Sequence, residues 1–287
     1  MTVAEALRQG AAALGDAGSD APALEARWLL GHSLGQTGSW IFANLNQPID
    51  PTASASFQST LTRRGRHEPL AYILGEAEFY GRPFEVDHRV LIPRPETELL
   101  IERVLAFARV SQQVGRSLRQ ILDVGTGSGA IGVTLALELP TASLIAIDVS
   151  PDALDVARRN VQRHRVRDRV TLVHCDLLGS GFDADVIVAN LPYVPSREID
   201  GLQPEVRNEP LLALDGGADG LELYRRLFQQ LRSVFSPTMA LFAEIGDGQG
   251  AVAIELGRQH FPEHQIEVVP DLAGKDRILE ISPPAYR

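Results

Sequence analysis

Ile121-Leu122-Asp123-Val124-Gly125-Thr126-Gly127-Ser128-Gly129-Ala130-Ile131-Gly132 is the stretch on which the reading of the fold turns. An apolar strand runs into a glycine turn, and the turn runs straight into a helix start. Glycine lets the backbone reverse tightly and come close to a ligand, while the helix N-terminus offers the positive end of its dipole. Strand, glycine turn and helix in this order open a β-α-β unit.

The pattern repeats downstream. The spacing predicts a strand over Gln120 to Val124 and a helix over Gly129 to Leu137, then a strand over Leu144 to Asp148 and a helix over Pro151 to His164. Further strands are expected at Val170 to His174, Val186 to Ala189 and Ala240 to Ile245, with a helix from about Leu221 to Phe235. A helix from Gln249 to His260 and strands at Gln265 to Val269 and Arg277 to Ile281 close the chain. Apolar strands without clean alternation imply a sheet covered on both faces, hence an α/β, parallel, doubly wound, Rossmann-like domain of seven strands.

Upstream the character changes. The first 75 residues read as a small helical bundle. Thr2-Val3-Ala4-Glu5 is a capping box, Leu7, Ala11 and Leu14 share a helix face, and a second helix begins near Pro22 with Leu24, Trp28 and Leu29. Helices around Ser39 to Leu45 and Pro51 to Arg66 follow, and Trp28 and Trp40 are expected in the bundle core, or one of them on an exposed docking surface. Between Glu76 and Arg94 the period becomes two, and Ala77-Glu78-Phe79-Tyr80, Gly81-Arg82, Pro83-Phe84-Glu85-Val86 reads as a β-hairpin acting as a hinge. Thr97 to Arg109 returns to helix.

The residue types at the strand ends suggest a ligand. Asp148, closing the second strand of the α/β region, sits where a carboxylate can accept both ribose hydroxyls of an adenosyl group. Gly127 to Gly132 satisfies G-x-G-x-x-G, so a nicotinamide-dinucleotide oxidoreductase is one reading. Two features favour S-adenosylmethionine: the glycines Gly125, Gly127 and Gly129 pack as G-x-G-x-G around Thr126 and Ser128, and Asp123 is placed to accept from an ammonium-bearing tail. Asp176, with Leu177 beside it, is assigned to the adenine end.

After the fourth strand stands Asn190-Leu191-Pro192-Tyr193. Ligands of open α/β sheets bind outside the carboxyl ends of the strands, so this turn should face the cofactor. An amide nitrogen is a poor nucleophile because its lone pair is delocalised. Two acceptors on its NH₂ group, the Asn190 side-chain oxygen and the Leu191 carbonyl, would aim it, and the Tyr193 ring would clamp its plane. Asn190 also belongs to the cofactor set. An exocyclic adenine amine poses the same problem, so the tetrapeptide indicates a planar nitrogen and leaves the two open.

Composition narrows the class. The 287 residues are 44% hydrophobic and 22% charged, and the net charge of −10 disfavours a general nucleic-acid binder. The basic runs Arg63, Arg64, Arg66 and Arg163, Arg165, Arg167, Arg169 read as solvated surface. The single cysteine, Cys175, reads as a small buried hydrophobe and fits a reducing cytoplasm. No stretch reaches the ~20 apolar residues of a membrane span, so a soluble cytoplasmic protein is expected; a monomer is the expected state. Of the seven histidines only His260 and His264 share a helical spacing, and Pro262 breaks it, so no metal site is expected.

Taken together, these residues resemble the release-factor glutamine methyltransferases (the HemK/PrmC family) over nearly the whole chain. The resemblance is carried by Pro69-Leu70-Ala71-Tyr72-Ile73-Leu74-Gly75, Phe79-Tyr80-Gly81, Leu91-Ile92-Pro93-Arg94-Pro95-Glu96-Thr97-Glu98, Glu209-Pro210, Gly216-Gly217-Ala218-Asp219-Gly220-Leu221 and Glu244-Ile245-Gly246. It implies a class I methyltransferase fold that uses S-adenosyl-L-methionine to methylate N5 of the glutamine in the Gly-Gly-Gln loop of class 1 peptide-chain release factors. It further implies a docking bundle over 1–75, a hairpin linker over 76–94 and a methyltransferase domain over 95–287. Arg94, flanked by prolines, is a candidate substrate-orienting residue or a brace of the hinge. The family usually carries Asn-Pro-Pro-Tyr where Leu191 stands here, and Asn-Leu-Pro-Tyr also resembles adenine-N6 rRNA methyltransferases. The ribosomal protein L3 glutamine methyltransferases are related but differ in sequence where Pro93 to Glu98 stands here. A binding module that has lost catalysis is the non-enzymatic reading of the same residues.

Overall fold

The computed structural model describes residues 1–179 and 182–284. They form two compact units, one of Met1–Glu76 with Gln203–Asn208 and one of Ala77–Leu202 with Glu209 onward.

The first unit is helical: α1 (Val3–Asp16), α2 (Pro22–Leu34), α3 (Gly38–Ala43), α4 (Pro51–Arg64) and α5 (Leu70–Leu74). Thr2 closes the expected capping box, with the Glu5 carboxylate accepting from Thr2 N–H at 2.8 Å and the Thr2 hydroxyl accepting from Glu5 N–H at 3.3 Å. Val3, Ala6, Gly10 and Leu14 recur at helical spacing and bury one face of α1 against Leu29, Leu30 and Phe57. Trp40 packs against this core, but Trp28 does not belong to it: the adjacent positions Leu29 and Leu30 turn inward, which leaves Trp28 44% exposed.

Arg64 also departs from expectation. It is buried rather than solvated, and its guanidinium is bidentate on Glu25, 2.9 Å to each oxygen, with a third bond of 2.8 Å to Glu205. Glu205 lies in α9 (Pro204–Arg207), a short helix of the segment that leaves the second unit after Leu202 and returns at Glu209. Asn208 adds a bond from its Nδ2 to the His67 carbonyl at 2.9 Å. Charge pairing thus draws a piece of distant sequence into the bundle.

The second unit is built on a seven-stranded sheet of β3 (Gln120–Val124), β4 (Ser143–Asp148), β5 (Val170–His174), β6 (Val186–Ala189), β7 (Ala240–Glu244), β8 (Gln265–Pro270) and β9 (Asp276–Ser282). Their order is β5-β4-β3-β6-β7-β9-β8. The first five strands are parallel; β9 runs antiparallel between β7 and β8, because β8 and β9 are joined by a direct reversal and not by a crossover helix. Helices α6 (Glu98–Gln113), α7 (Ala130–Glu138), α8 (Pro151–Arg163), α10 (Glu222–Leu231) and α11 (Gly250–His260) complete the unit. Two apolar cores result, one containing Phe107, Val133 and Phe242 and one containing Ile187, Phe228 and Leu241, so the strands are covered on both faces as their continuous apolar runs require.

The hairpin of β1 (Glu76–Phe79) and β2 (Arg82–Glu85) is no free hinge at its distal strand. The buried Asn160 of α8 accepts from Glu85 N–H at 2.7 Å and donates to the Glu85 and Ser128 carbonyls at 2.9 and 2.8 Å. Arg159 adds ion pairs to Glu85 and Asp87. The hairpin is thereby tied to the helix that follows the glycine-loop strand pair.

Both tryptophans lie in the first unit, so their fluorescence reports its unfolding in the intact chain. Arg64→Ala strands Glu25 in the bundle and should cost that transition about 3 kcal/mol in urea denaturation, while Arg64→Met with Glu25→Leu should recover most of the loss. Equal losses in both variants would show that the stranded Glu25 charge is not the source of the cost.

Candidate active site

The strand order reverses direction at β3, whose neighbours β4 and β6 lie on opposite sides, and the crevice at such a switch point is where open α/β sheets bind ligands. A cavity of about 520 Å³ opens there, within the usual range for a small-molecule site. The second unit alone lines it, with residues that include Gly125, Thr126, Gly127, Asp148, Leu177 and Asn190.

The glycine loop lies at its floor. Gly125, Gly127 and Gly129 all have positive φ, of 75°, 54° and 82°, a conformation that L side chains rarely adopt. At Gly125 the need is doubled, because a Cβ would sit 2.8 Å from Leu191 Cδ2. At Gly127 a Cβ would meet only open space, so this backbone faces the cavity bare. Beneath the loop, fully buried, Asp123 Oδ2 accepts from Thr126 Oγ at 2.6 Å and from Gly132 N–H at 3.0 Å, while Oδ1 has no partner. Burial pushes the Asp123 carboxyl up to about 6, against the pull of these two bonds. Asp123 does not line the cavity; it ties the loop together from below.

Asp148, at the end of β4, is buried and borders the cavity. Its Oδ2 accepts from Gly127 N–H at 2.8 Å and its Oδ1 from Ser150 N–H at 2.9 Å. Burial raises its carboxyl above the ordinary range, and the backbone donors of Ser150 and Gly127 oppose that. Each oxygen keeps a lone pair for a hydroxyl. Asp176 borders the cavity but is exposed and paired with Arg226 at 2.6 Å, and Leu177, at φ 59°, turns the chain there. Cys175 is only half-buried and borders the same cavity rather than sitting in the core.

The tetrapeptide follows β6, which pairs with β3 so that Ala189 stands opposite Val124. This register sets Asn190-Leu191 beside Gly125. Leu191 is buried over Gly125, and its N–H donates to Tyr224 Oη at 3.2 Å; Tyr224 in turn donates to the Glu244 carbonyl at 2.5 Å. The Asn190 Nδ2 donates to Thr97 Oγ at 3.2 Å. Tyr193 Oη donates to Glu244 Oε1 at 3.1 Å and its carbonyl accepts from Gln249 Nε2 at 2.9 Å. Burial, with the Glu244 carboxylate beside it, raises the Tyr193 phenol well above its ordinary value, so it stays protonated. Gly220 has its Cα face against the Tyr193 carbonyl, where no side chain would fit, which accounts for a glycine in the 216–220 loop.

Arg94 is placed by Glu209, a buried carboxylate whose Oε1 lies 2.5 Å from Arg94 Nη2 and whose Oε2 accepts from Ile92 N–H at 3.0 Å. Pro93 and Thr97 of the same segment border the cavity, whereas Arg94 does not. Thr97, Glu209, Tyr224 and Glu244 were not singled out individually by sequence reasoning. Their only signal was membership of the segments that carry the family resemblance, and Tyr224 lacked even that.

Comparison with known proteins agrees with this geometry. Residues 5–75 match the PrmC N-terminal domain family and residues 97–202 the methyltransferase small domain family. The release factor glutamine methyltransferase of Moorella thermoacetica is 39% identical over 279 residues, covering 96% of this chain and 97% of that one. The chain belongs to the release factor glutamine methyltransferase family. The Chlorobaculum tepidum relative is 40% identical over 286 residues, covering 97% of this chain and 96% of its own length. Among solved structures, the catalytic domain of hMettl16 in complex with MAT2A 3′UTR hairpin 6 aligns with a TM-score of 0.55 at 18% identity, covering 81% of this chain and 82% of that one, a likeness of fold. The fold is that of class I methyltransferases.

The Leu191–Tyr224 bond yields a test of how the tetrapeptide is held. Leu191→Pro removes a buried donor and apolar bulk over Gly125, and Tyr224→Phe removes the acceptor. Each should lower stability by about 1–3 kcal/mol, with the double variant about 1 kcal/mol less destabilised than the sum. Strict additivity in thermal or urea unfolding would mean the bond contributes nothing.

Proposed function

We propose that this protein transfers the methyl group of S-adenosyl-L-methionine to the side-chain amide nitrogen of the Gly-Gly-Gln glutamine of class 1 release factors. The observation that carries the reading is the Asn190 amide in the cavity lining, held by Thr97 through its nitrogen with its oxygen left free.

The residues fit the cofactor. Asp148 retains acceptor capacity for two ribose hydroxyls, Gly127 presents bare backbone, and beneath the loop Asp123 Oδ1 is a buried acceptor lacking a donor, whose negative charge favours a cationic ammonium in the cavity above it. Asp176 and Leu177 take the adenine end in this assignment, with Asp176 exchanging Arg226 for the exocyclic amine. When bound, S-adenosyl-L-methionine supplies an electrophilic methyl on a sulfonium, so no strong base is required. In this assignment Asn190 Oδ1 and the Leu191 carbonyl accept from the substrate NH₂ and direct its lone pair, and the Tyr193 ring, fixed at its hydroxyl and its carbonyl, is given the task of clamping the amide plane. The surplus proton leaves the methylated nitrogen to water. Arg94 acts through the segment it braces with Glu209. The first unit contributes docking contacts for the release factor.

Asp123 makes the cofactor assignment testable by pH. An ammonium beside it favours the carboxylate, so affinity for S-adenosylhomocysteine, which keeps the ammonium, should be full above pH 6. It should fall as pH drops through about 6, by at most about tenfold per unit. Asp123→Asn should flatten that profile in titration calorimetry, and Asp148→Ala should weaken binding by about 1.5–3 kcal/mol at every pH. Binding of NAD in place of S-adenosylhomocysteine would refute the assignment.

Asn190→Ala removes an acceptor made for the transition state and should lower kcat on an unmodified release factor by roughly 100-fold or more. A radiolabelled methyl-transfer assay should run that factor beside an adenine-containing RNA. Transfer to the RNA alone would sink the glutamine reading and favour the adenine one that Leu191 suggested.

A further inference from the structure

Between Glu209 and Asp215 the second unit turns an apolar ledge outward, to which the mechanism above gives no task. Leu211 and Leu212 are 58% and 61% exposed, and Pro210 and Ala213 flank them without charge. Leu212 borders the cavity, as do Pro210 and Ala213, so its exposed side chain stands where the cavity meets solvent. A single exposed leucine needs no explanation. Two in succession at the edge of a ligand cavity do.

The ledge is held at both ends. Leu211 to Ala213 is a single tight helical turn, in which Ala213 N–H donates to the Pro210 carbonyl at 2.9 Å. The N–H groups of Leu214 and Asp215 both donate to the Leu211 carbonyl, at 3.0 and 2.9 Å. Upstream, the buried Glu209 carboxylate accepts from Ile92 N–H. Downstream, the Leu214 carbonyl accepts from the N–H of Val194, the residue after Tyr193, at 3.0 Å, and the Val194 carbonyl accepts from Gly216 N–H at 2.9 Å. The leucines are therefore presented on a turn already ordered in the free protein and tied directly to the tetrapeptide, which lowers the ordering cost of binding.

The chemistry of the rim selects what can lie on it. The side chains of the ledge offer neither charge nor hydrogen bond. The two arginines in the cavity lining are each engaged by a carboxylate: Arg89 is bidentate on Asp87 at 2.8 and 2.7 Å, and Arg226 donates to Asp176 at 2.6 Å. A phosphodiester would give up water against leucine methyls and meet arginines already neutralised. A glycine main chain, with no Cβ, can approach those methyls closely. A glutamine side chain that reaches Asn190 leaves its own main chain, and the glycine next to it, at this rim.

We propose that Leu211 and Leu212 are substrate-binding residues that pack on the glycine next to the reacting glutamine and so select a loop with no side chain at that place. The inference rests on the function proposed above. With a purified unmethylated release factor, the double variant Leu211→Ala, Leu212→Ala should lower kcat/KM roughly tenfold through KM, with kcat at saturation within about twofold. The Kd for S-adenosylhomocysteine should stay within about twofold, which also checks that the site is folded. A release factor whose loop carries alanine in place of the glycine next to the glutamine should be about tenfold poorer for the parent, and Leu212→Ala should recover most of that difference because it vacates the space the methyl needs.

An unchanged KM in the double variant, or an equal alanine penalty for the parent and Leu212→Ala, would overturn this inference and leave the proposed function standing. A loss of S-adenosylhomocysteine affinity that accounts for the whole fall in kcat/KM would make the ledge a wall of the cofactor site, and would overturn it as well. Failure of the cofactor-bound parent to methylate the unaltered factor, with transfer to an adenine-containing RNA in its place, would overturn the proposed function itself and this inference with it.

Discussion

The pairing of β3 with β6 is the constraint from which the site follows. With Val124 opposite Ala189, the two chains leave the sheet side by side, one as the glycine loop and the other as the tetrapeptide. Leu191 closes the gap by packing on Gly125, at a distance that no side chain at 125 would permit. A slip by one residue would turn Leu191 outward and Asn190 inward, because side chains alternate along a strand. The ladder, the glycine and the leucine therefore specify the relation between cofactor loop and reacting tetrapeptide before any ligand binds.

Acceptors dominate what is placed around that junction. Asp123, Asp148, Glu209 and Glu244 are all buried carboxylates, and each engages backbone or hydroxyl donors that define a loop. Asp123 holds the glycine turn, Asp148 its outer face, Glu209 the 92–94 segment and Glu244 the Tyr193 hydroxyl. An amide nucleophile needs orientation more than activation, and a cationic methyl donor is favoured by negative surroundings.

Much of this was legible in the sequence where the determinants are local. The capping box at Thr2, the glycine turn, Asp148 at a strand end and the tetrapeptide after β6 are written within a few consecutive residues, and periodicity located the seven strands of the sheet. What remained illegible involves partners far apart in the chain. Arg64 reads as one more exposed arginine until Glu25 and Glu205 surround it, 39 and 141 positions away. Thr97 meets Asn190 across 93 positions, and Arg94 meets Glu209 across 115. The antiparallel β9 was hidden because an apolar strand has no direction in its composition. Which of Trp28 and Trp40 joins the core was open in the sequence, and Leu29 and Leu30 take the inward positions that leave Trp28 exposed.

The most direct measurement is tandem mass spectrometry of a class 1 release factor after incubation with the protein and S-adenosyl-L-methionine. The account predicts one added methyl group on the glutamine of the Gly-Gly-Gln peptide, on the amide nitrogen, and none when Asn190→Ala replaces the parent under the same brief incubation. An unmodified glutamine in the presence of a folded, cofactor-binding protein, or a methyl group on any other residue, would contradict it.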